Sequence, residues 1–149
     1  MRCLIDADAC PVVAIAVKLC RQYGVECVLY CDTCHRLDQY DVTVVTVSKG
    51  SDSADYAVAN DVQKGDVVIT QDYGLAAMCL ARGAQVIKQD GRIYQNENID
   101  GLLFSRYLSK KARMAGIRTK GPQKRTSSQN QSFQRVFIQL LEAYVHGEI

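Results

Sequence analysis

The sequence predicts an α/β fold, a three-layer sandwich around a central, mainly parallel sheet, and three observations lead there. Short, charge-poor, β-branched runs recur through the first two thirds of the chain. Helix-compatible stretches separate most of them, as crossovers between parallel strands require. A length of 149 residues with 48% hydrophobic content allows one domain with a real core and is short for two. A single domain over residues 1–149 is therefore expected.

The elements follow in order. Residues 3–5 (CLI) are a strand with no charge inside it, and residues 11–23 begin with Pro11, favoured in a first helical turn, and end at Gly24, a good stop. Residues 25–31 (VECVLYC), 42–47 (VTVVTV) and 67–70 (VVIT) are strands of the kind covered on both faces. Helices are expected over 51–63 and 74–82, each running toward a glycine. A short strand at 85–87, a tight hairpin at Asp90-Gly91 and a return at 93–94 come next. Residues 96–115 read as a long helix, and 116–131 (GIRTKGPQKRTSSQNQ) as an exposed loop. Residues 133–145 close the chain as an amphipathic helix, with Phe133, Val136, Phe137, Leu140, Leu141 and Tyr144 at helical spacing.

No apolar stretch approaches the roughly 20 residues of a membrane span, and the first residues run straight into a strand without a charged leader. A soluble, cytoplasmic protein with no membrane partner is expected. Of seven cysteines, Cys3, Cys20, Cys27 and Cys79 fall inside strand or helix patterns and read as small core residues. The net charge of +2 hides an uneven distribution. Residues 1–100 hold 9 Lys/Arg against 14 Asp/Glu, a balance of −5, while residues 101–141 hold 9 Lys/Arg and no acid, +9.

The acids concentrate where strands end. In open parallel sheets ligands bind beyond the carboxyl ends of the strands, and Asp6 and Asp8 follow the first strand, Asp52 and Asp55 open the helix after the third, and Asp72 follows the fourth. The two-residue period points Asp6 and Asp8 the same way, and a three-residue spacing puts Asp52 and Asp55 on one helix face. Carboxylates crowded together need a compensating cation. Hard oxygen donors suit Mg²⁺ or Mn²⁺, which polarise phosphoryl oxygens and acidify bound water. Helix capping is the competing explanation for Asp8, Asp52 and Asp72, and Asp6 sits too early to cap anything obvious.

The stretches DADACPV, GSDSADY and GDVVITQDYGLA, with Asn98-Ile99, Arg106 and Gly121-Pro122, together resemble the YaiI/YqxD family of uncharacterised bacterial proteins over nearly the whole chain. That family is grouped with the PIN-like nucleases. The resemblance implies a PIN-like fold, a Mg²⁺- or Mn²⁺-dependent hydrolysis of phosphodiesters, and RNA as a substrate ahead of DNA. It makes Asp6 and Asp72 the central ligands, Asp55 the next, and Asp8 and Asp52 supporting groups; Asp6, Asp55 and Asp72 are the expected catalytic residues. A nucleic-acid-binding protein that does not cleave is the alternative from another class.

D-x-D after a first strand also opens haloacid-dehalogenase-type phosphatases, with Asp6 as nucleophile and Asp8 as general acid/base. Thr33, Lys49 or Lys64, and Asp72 would have to fill the remaining roles, but Asp66 precedes its strand where the acidic pair should follow it. Cys31-Asp32-Thr33-Cys34-His35 fits a C-x-x-C-H pattern, yet haem attachment goes with export and zinc needs a fourth ligand. Its plain reading is exposed loop thiols beside a surface histidine. Finally, Arg106, Lys110, Lys111 and Arg113 on the long helix, and Arg118, Lys120, Lys124 and Arg125 after it, form a basic region suited to phosphate contacts. Tyr94 and Tyr107 are candidates for stacking on bases or for packing.

Overall fold

The computed structural model describes residues 1–8, 10–32, 40–47, 53–96, 108, 110–112, 114–116 and 125–147. Six strands form one sheet in the order β3-β2-β1-β4-β5-β6. They are β1 (Arg2–Asp6), β2 (Glu26–Cys31), β3 (Thr43–Thr46), β4 (Val67–Ile69), β5 (Gln85–Ile87) and β6 (Ile93–Tyr94). The first five pair in parallel and β6 returns antiparallel to β5.

Alternation along the strands divides the core into two layers. Cys3, Ile5, Cys27, Leu29, Val67, Ile69 and Ile87 turn to one face. There they meet α1 (Val13–Tyr23) and α4 (Ser127–Val145), whose Phe133, Phe137 and Leu141 are fully buried. Leu4, Val28, Tyr30, Val68 and Val86 turn to the other face, against α2 (Ser53–Asp61) and α3 (Tyr73–Ala81). The result is the α/β three-layer sandwich that the strand and helix patterns predict. No helix among the described residues is long and apolar enough to cross a membrane.

Two glycines fix turns that matter for the ends of the sheet. Gly24 ends α1 in the left-handed region at φ 69°, where a side chain is strained, and redirects the chain into β2. Gly91 has φ 94°, and a Cβ there would lie 2.7 Å from the Ser132 carbonyl oxygen, so the hairpin between β5 and β6 packs directly on the backbone of α4.

One expectation is corrected outright. The closing helix begins at Ser127, well before residue 133, so part of the expected loop is helical. The reason is local: Thr126 stands at the N-cap, and Gln129 Oε1 accepts from the Thr126 amide at 2.9 Å, half of a capping box. Tyr94 is a packing residue, buried and edge-on to Tyr73 with ring centroids 5.7 Å apart. Tyr107 lies outside the described residues.

Candidate active site at the carboxyl end of the sheet

The strand order reverses between β1 and β4, because α1 leaves β1 for one face and α3 leaves β4 for the other. In open parallel sheets such a switch point is where ligands bind, at the carboxyl ends of the two strands. Asp6 is the last residue of β1, and Thr70 and Asp72 follow β4.

The register Ile5↔Ile69 sets Asp6 beside Thr70. The buried Thr70 hydroxyl donates to Asp6 Oδ2 at 3.1 Å and accepts from the Asp72 amide at 3.0 Å, so one side chain ties both acids together. Asp72 Oδ1 accepts from the Leu75 amide at 3.0 Å and caps α3. Asp8 Oδ2 accepts from the Asp32 amide at 3.0 Å, which joins the end of β1 to the end of β2. Asp8 therefore does not cap α1, whose N-cap is Val12. Capping and site membership coexist at Asp72.

Burial pushes the Asp6 carboxyl up to about 6, against an ordinary 3.8. The Thr70 hydroxyl opposes this, and the charges of Asp8 and Asp72 add to it. Asp6 thus holds its proton into the range where a free aspartate has long lost it. A divalent cation among these oxygens would reverse that balance, and an all-carboxylate and hydroxyl donor set is the kind Mg²⁺ and Mn²⁺ prefer.

Thr70 links Asp6 to Asp72 and the charge of Asp8 reaches Asp6, but among the described residues the three carboxylates do not all lie within 4.8 Å of one another. Asp55 lies in the first turn of α2, where its charge falls on Cys79 of α3, and the acids that act on Asp6 are Asp8 and Asp72. Asp52 lies outside the described residues. Of the phosphatase set, Thr33 and Lys49 also lie outside them. Lys64 precedes β4 and sits at the opposite end of the sheet from Asp6, as Asp66 does.

Three further residues border this site without having been singled out by motif. Cys10 feels both Asp6 and Arg125, and burial pushes its thiol up to about 11. Gln89 is almost fully buried, and its backbone carbonyl accepts from Arg125 Nη2 at 2.7 Å. Thr70 carried the only prior signal, a hydroxyl directly between strand and acid in VVITQD.

The basic region is partly described. Lys110 and Lys111 are solvent-exposed, as a phosphate-contacting face needs. Arg125 differs from the expected exposed loop cation: it is half-buried, with Nε donating to Asn130 Oδ1 at 2.8 Å beside its bond to Gln89. It packs the start of α4 against the sheet, and its charge reaches Cys10. Arg106, Arg113, Arg118, Lys120 and Lys124 lie outside the described residues. Cys31 is also corrected: it is the buried last residue of β2 and is disulfide-bonded, so it is no exposed loop thiol. It is buried because β2 pairs with β3 as far as Cys31↔Thr46. Cys34 and His35 lie outside the described residues.

No solved structure matches the chain. It is similar to the "UPF0178 protein" of Exiguobacterium sibiricum, 48% identical over 141 residues, covering 95% of this chain and 96% of that protein. A "UPF0178 protein" of Ruminiclostridium cellulolyticum is 44% identical over 147 residues, covering 99% and 96%. That of Clostridium acetobutylicum is 43% identical over 143 residues, covering 95% and 97%. Residues 4–143 match the family model described as "Uncharacterized BCR, YaiI/YqxD family", a span that includes Asp6, Thr70, Asp72 and the Arg125 anchor. With relatives of this identity along almost its whole length, the chain belongs to the YaiI/YqxD family.

Proposed function

We propose that this protein is a PIN-like, Mg²⁺- or Mn²⁺-dependent nuclease of the cytoplasm that hydrolyses phosphodiester bonds, with RNA ahead of DNA. The observation that carries the reading is that the Thr70 hydroxyl ties Asp6 to Asp72 at the topological switch point, where the charge of Asp8 also reaches Asp6. A fold that buries a carboxylate among like charges does so at a cost in stability, and such sites are disproportionately functional.

Asp6, Asp8 and Asp72 would hold the cation, with Asp55 in the first turn of α2 and Asp52, three residues earlier in the sequence, as supporting groups. The ion would supply Lewis-acid polarisation of the phosphoryl group and a more acidic water. The chain's own residues do the rest. Thr70 orients Asp6 through its hydroxyl and Asp72 through its amide contact, and the α3 cap fixes the Asp72 carboxylate. Asp8 is held by the Asp32 amide. Lys110 and Lys111, with the other basic residues of the C-terminal third, would draw the polyanion toward these acids.

The test is cleavage of single-stranded RNA and DNA with Mn²⁺, run in parallel on Asp6→Asn, Asp72→Asn and Asp55→Asn. Manganese-dependent cleavage of RNA that is lost in Asp6→Asn and Asp72→Asn supports the nuclease. Cleavage that survives both marks a contaminant and sinks the reading, and salt-sensitive binding without any cleavage replaces it with a non-catalytic nucleic-acid-binding protein.

A further inference from the structure

A second group of ligand atoms converges at the other end of β1. Cys3 of β1, Cys20 of α1 and Cys27 of β2 bring their sulfurs within 4.8 Å of one another. All three are free cysteines, 0%, 1% and 5% exposed.

The fold builds this cluster from independent constraints. Cys3 and Cys27 are direct partners in the parallel register of β1 and β2. Cys20 reaches them because α1 ends one turn later at Gly24, and the Val25 amide bonds back to the Cys20 carbonyl at 2.8 Å. The segment CRQYGVEC is thus one helix end and one strand start that close two thiols onto a third.

Two of the three residues border a cavity. About 480 Å³ in volume, it is lined by Cys20 and Cys27 together with Arg21, Glu26, Asp41 and Thr43. Three sulfurs supply three of the four positions of a tetrahedral ion and leave one for another donor. Soft sulfur donors select thiophilic ions over the hard cations suited to the acids at the other end. A doubly charged ion suits the site better than a singly charged one, because three thiolates around it leave a net −1 where a monovalent ion leaves −2 in a largely apolar setting.

We propose that Cys3, Cys20 and Cys27 form a binding site for a thiophilic divalent cation of the zinc class, with its fourth position facing the cavity. Binding displaces the thiol protons and joins β1, β2 and α1 through one ion. The site lies about 10 Å along β1 from Asp6, by the rise of a strand, and is independent of the proposed nuclease centre.

The test uses reduced, metal-free full-length protein titrated with Co²⁺ as a spectroscopic probe. A Cys31→Ser/Cys34→Ser background removes the competing thiols. The expected result is one equivalent of Co²⁺ with thiolate-to-cobalt charge-transfer absorption and strong tetrahedral visible bands, both abolished by one equivalent of Zn²⁺. Cys20→Ala and Cys27→Ser, each shown to be folded by circular dichroism, should bind at least about a hundredfold more weakly. Cys10→Ala and Cys79→Ala should bind as the background does, since Cys79 lies in the other core layer. Absence of the charge-transfer band, or its persistence in folded Cys20→Ala and Cys27→Ser, overturns the proposal.

Discussion

The two ends of the sheet treat a carboxylate in opposite ways. At the amino end Asp66 is 4% exposed and fully compensated. Its Oδ1 accepts from the Arg2 amide at 3.0 Å, and its Oδ2 accepts from Arg2 Nη2 at 3.0 Å and from the Gln63 amide at 2.9 Å. At the carboxyl end Asp6 accepts from Thr70 and faces Asp8 and Asp72. The first arrangement fastens β1 to the α2–β4 connection and is explained by stability alone. The second costs stability, a cost that the proposed cation would relieve. Buried acidity by itself does not mark a site; what separates Asp6 from Asp66 is that its neighbours include like charges and not an arginine.

The largest effect that would break this contrast is on catalysis. Asp72→Asn and Asp6→Asn should each lower manganese-dependent RNA cleavage about a thousandfold, roughly 4 kcal/mol of transition-state stabilisation, with the protein still folded. Asp66→Asn should leave the cleavage rate per folded molecule unchanged. Equal losses at both ends would mean that the assay reads folding.

The second effect is on stability at the amino end. Asp66→Ala removes the ion-pair partner of Arg2, whose Nη2 keeps only the Asp61 carbonyl, and takes the acceptor from the Arg2 and Gln63 amides at a nearly buried position. A loss of about 2–3 kcal/mol is expected in urea unfolding, below the full value for a buried pair because the Arg2 side chain is 28% exposed.

The third reverses sign between the ends. The Asp6 carboxyl is raised from 3.8 to about 6, so the folded state holds a proton that the unfolded chain releases earlier. Below about pH 4 both states are protonated and there is no penalty; stability falls as pH rises between 4 and 6, and the full penalty applies above 6. Asp6→Asn should therefore stabilise the protein by about 1–2 kcal/mol at pH 7, after allowance for solvent screening, and by nothing near pH 4. Melting curves at the two pH values, without divalent metal, check this. A destabilised Asp6→Asn at pH 7 would mean that the carboxylate is compensated after all.

The sequence made the acids of the carboxyl end legible because their placement follows from strand ends, and strand ends follow from β-branched runs such as VVIT. The fold class was legible for the same reason. What linked the acids was not. Thr70 meets Asp6 across 64 residues only because β4 is the neighbour of β1, a choice of pairing that no local pattern contains. The three cysteines were each readable as core, yet their meeting depends on the Cys3↔Cys27 register. The start of α4 was masked by the polar run TSSQ, which looks like loop until Thr126 and Gln129 are paired as a cap. Asp55 shared the expected strand-end placement, but α2 turns its charge toward α3.

Arg125 supplies the smallest and most discriminating prediction, because it carries charge at the carboxyl end while also fastening structure there. Its Nε and Nη2 bonds to Asn130 and Gln89 hold the first turn of α4 to the segment after β5, where Gly91 already admits the α4 backbone. Arg125→Gln removes the charge and shortens the reach, and should destabilise by about 1 kcal/mol for the lost charge-assisted bonds at a half-buried position. Because the charge of the fixed cation also reaches Cys10, as that of Asp6 does, its loss should raise the Cys10 thiol further, slowing alkylation of Cys10 by iodoacetamide at pH 8–9. Lys110→Gln/Lys111→Gln, on an exposed surface, should leave both stability and Cys10 reactivity unchanged and lower only the salt dependence of RNA binding. If Arg125→Gln behaves like the lysine pair, the cation belongs to the solvated basic face, and the carboxyl end has no anchored positive charge of its own.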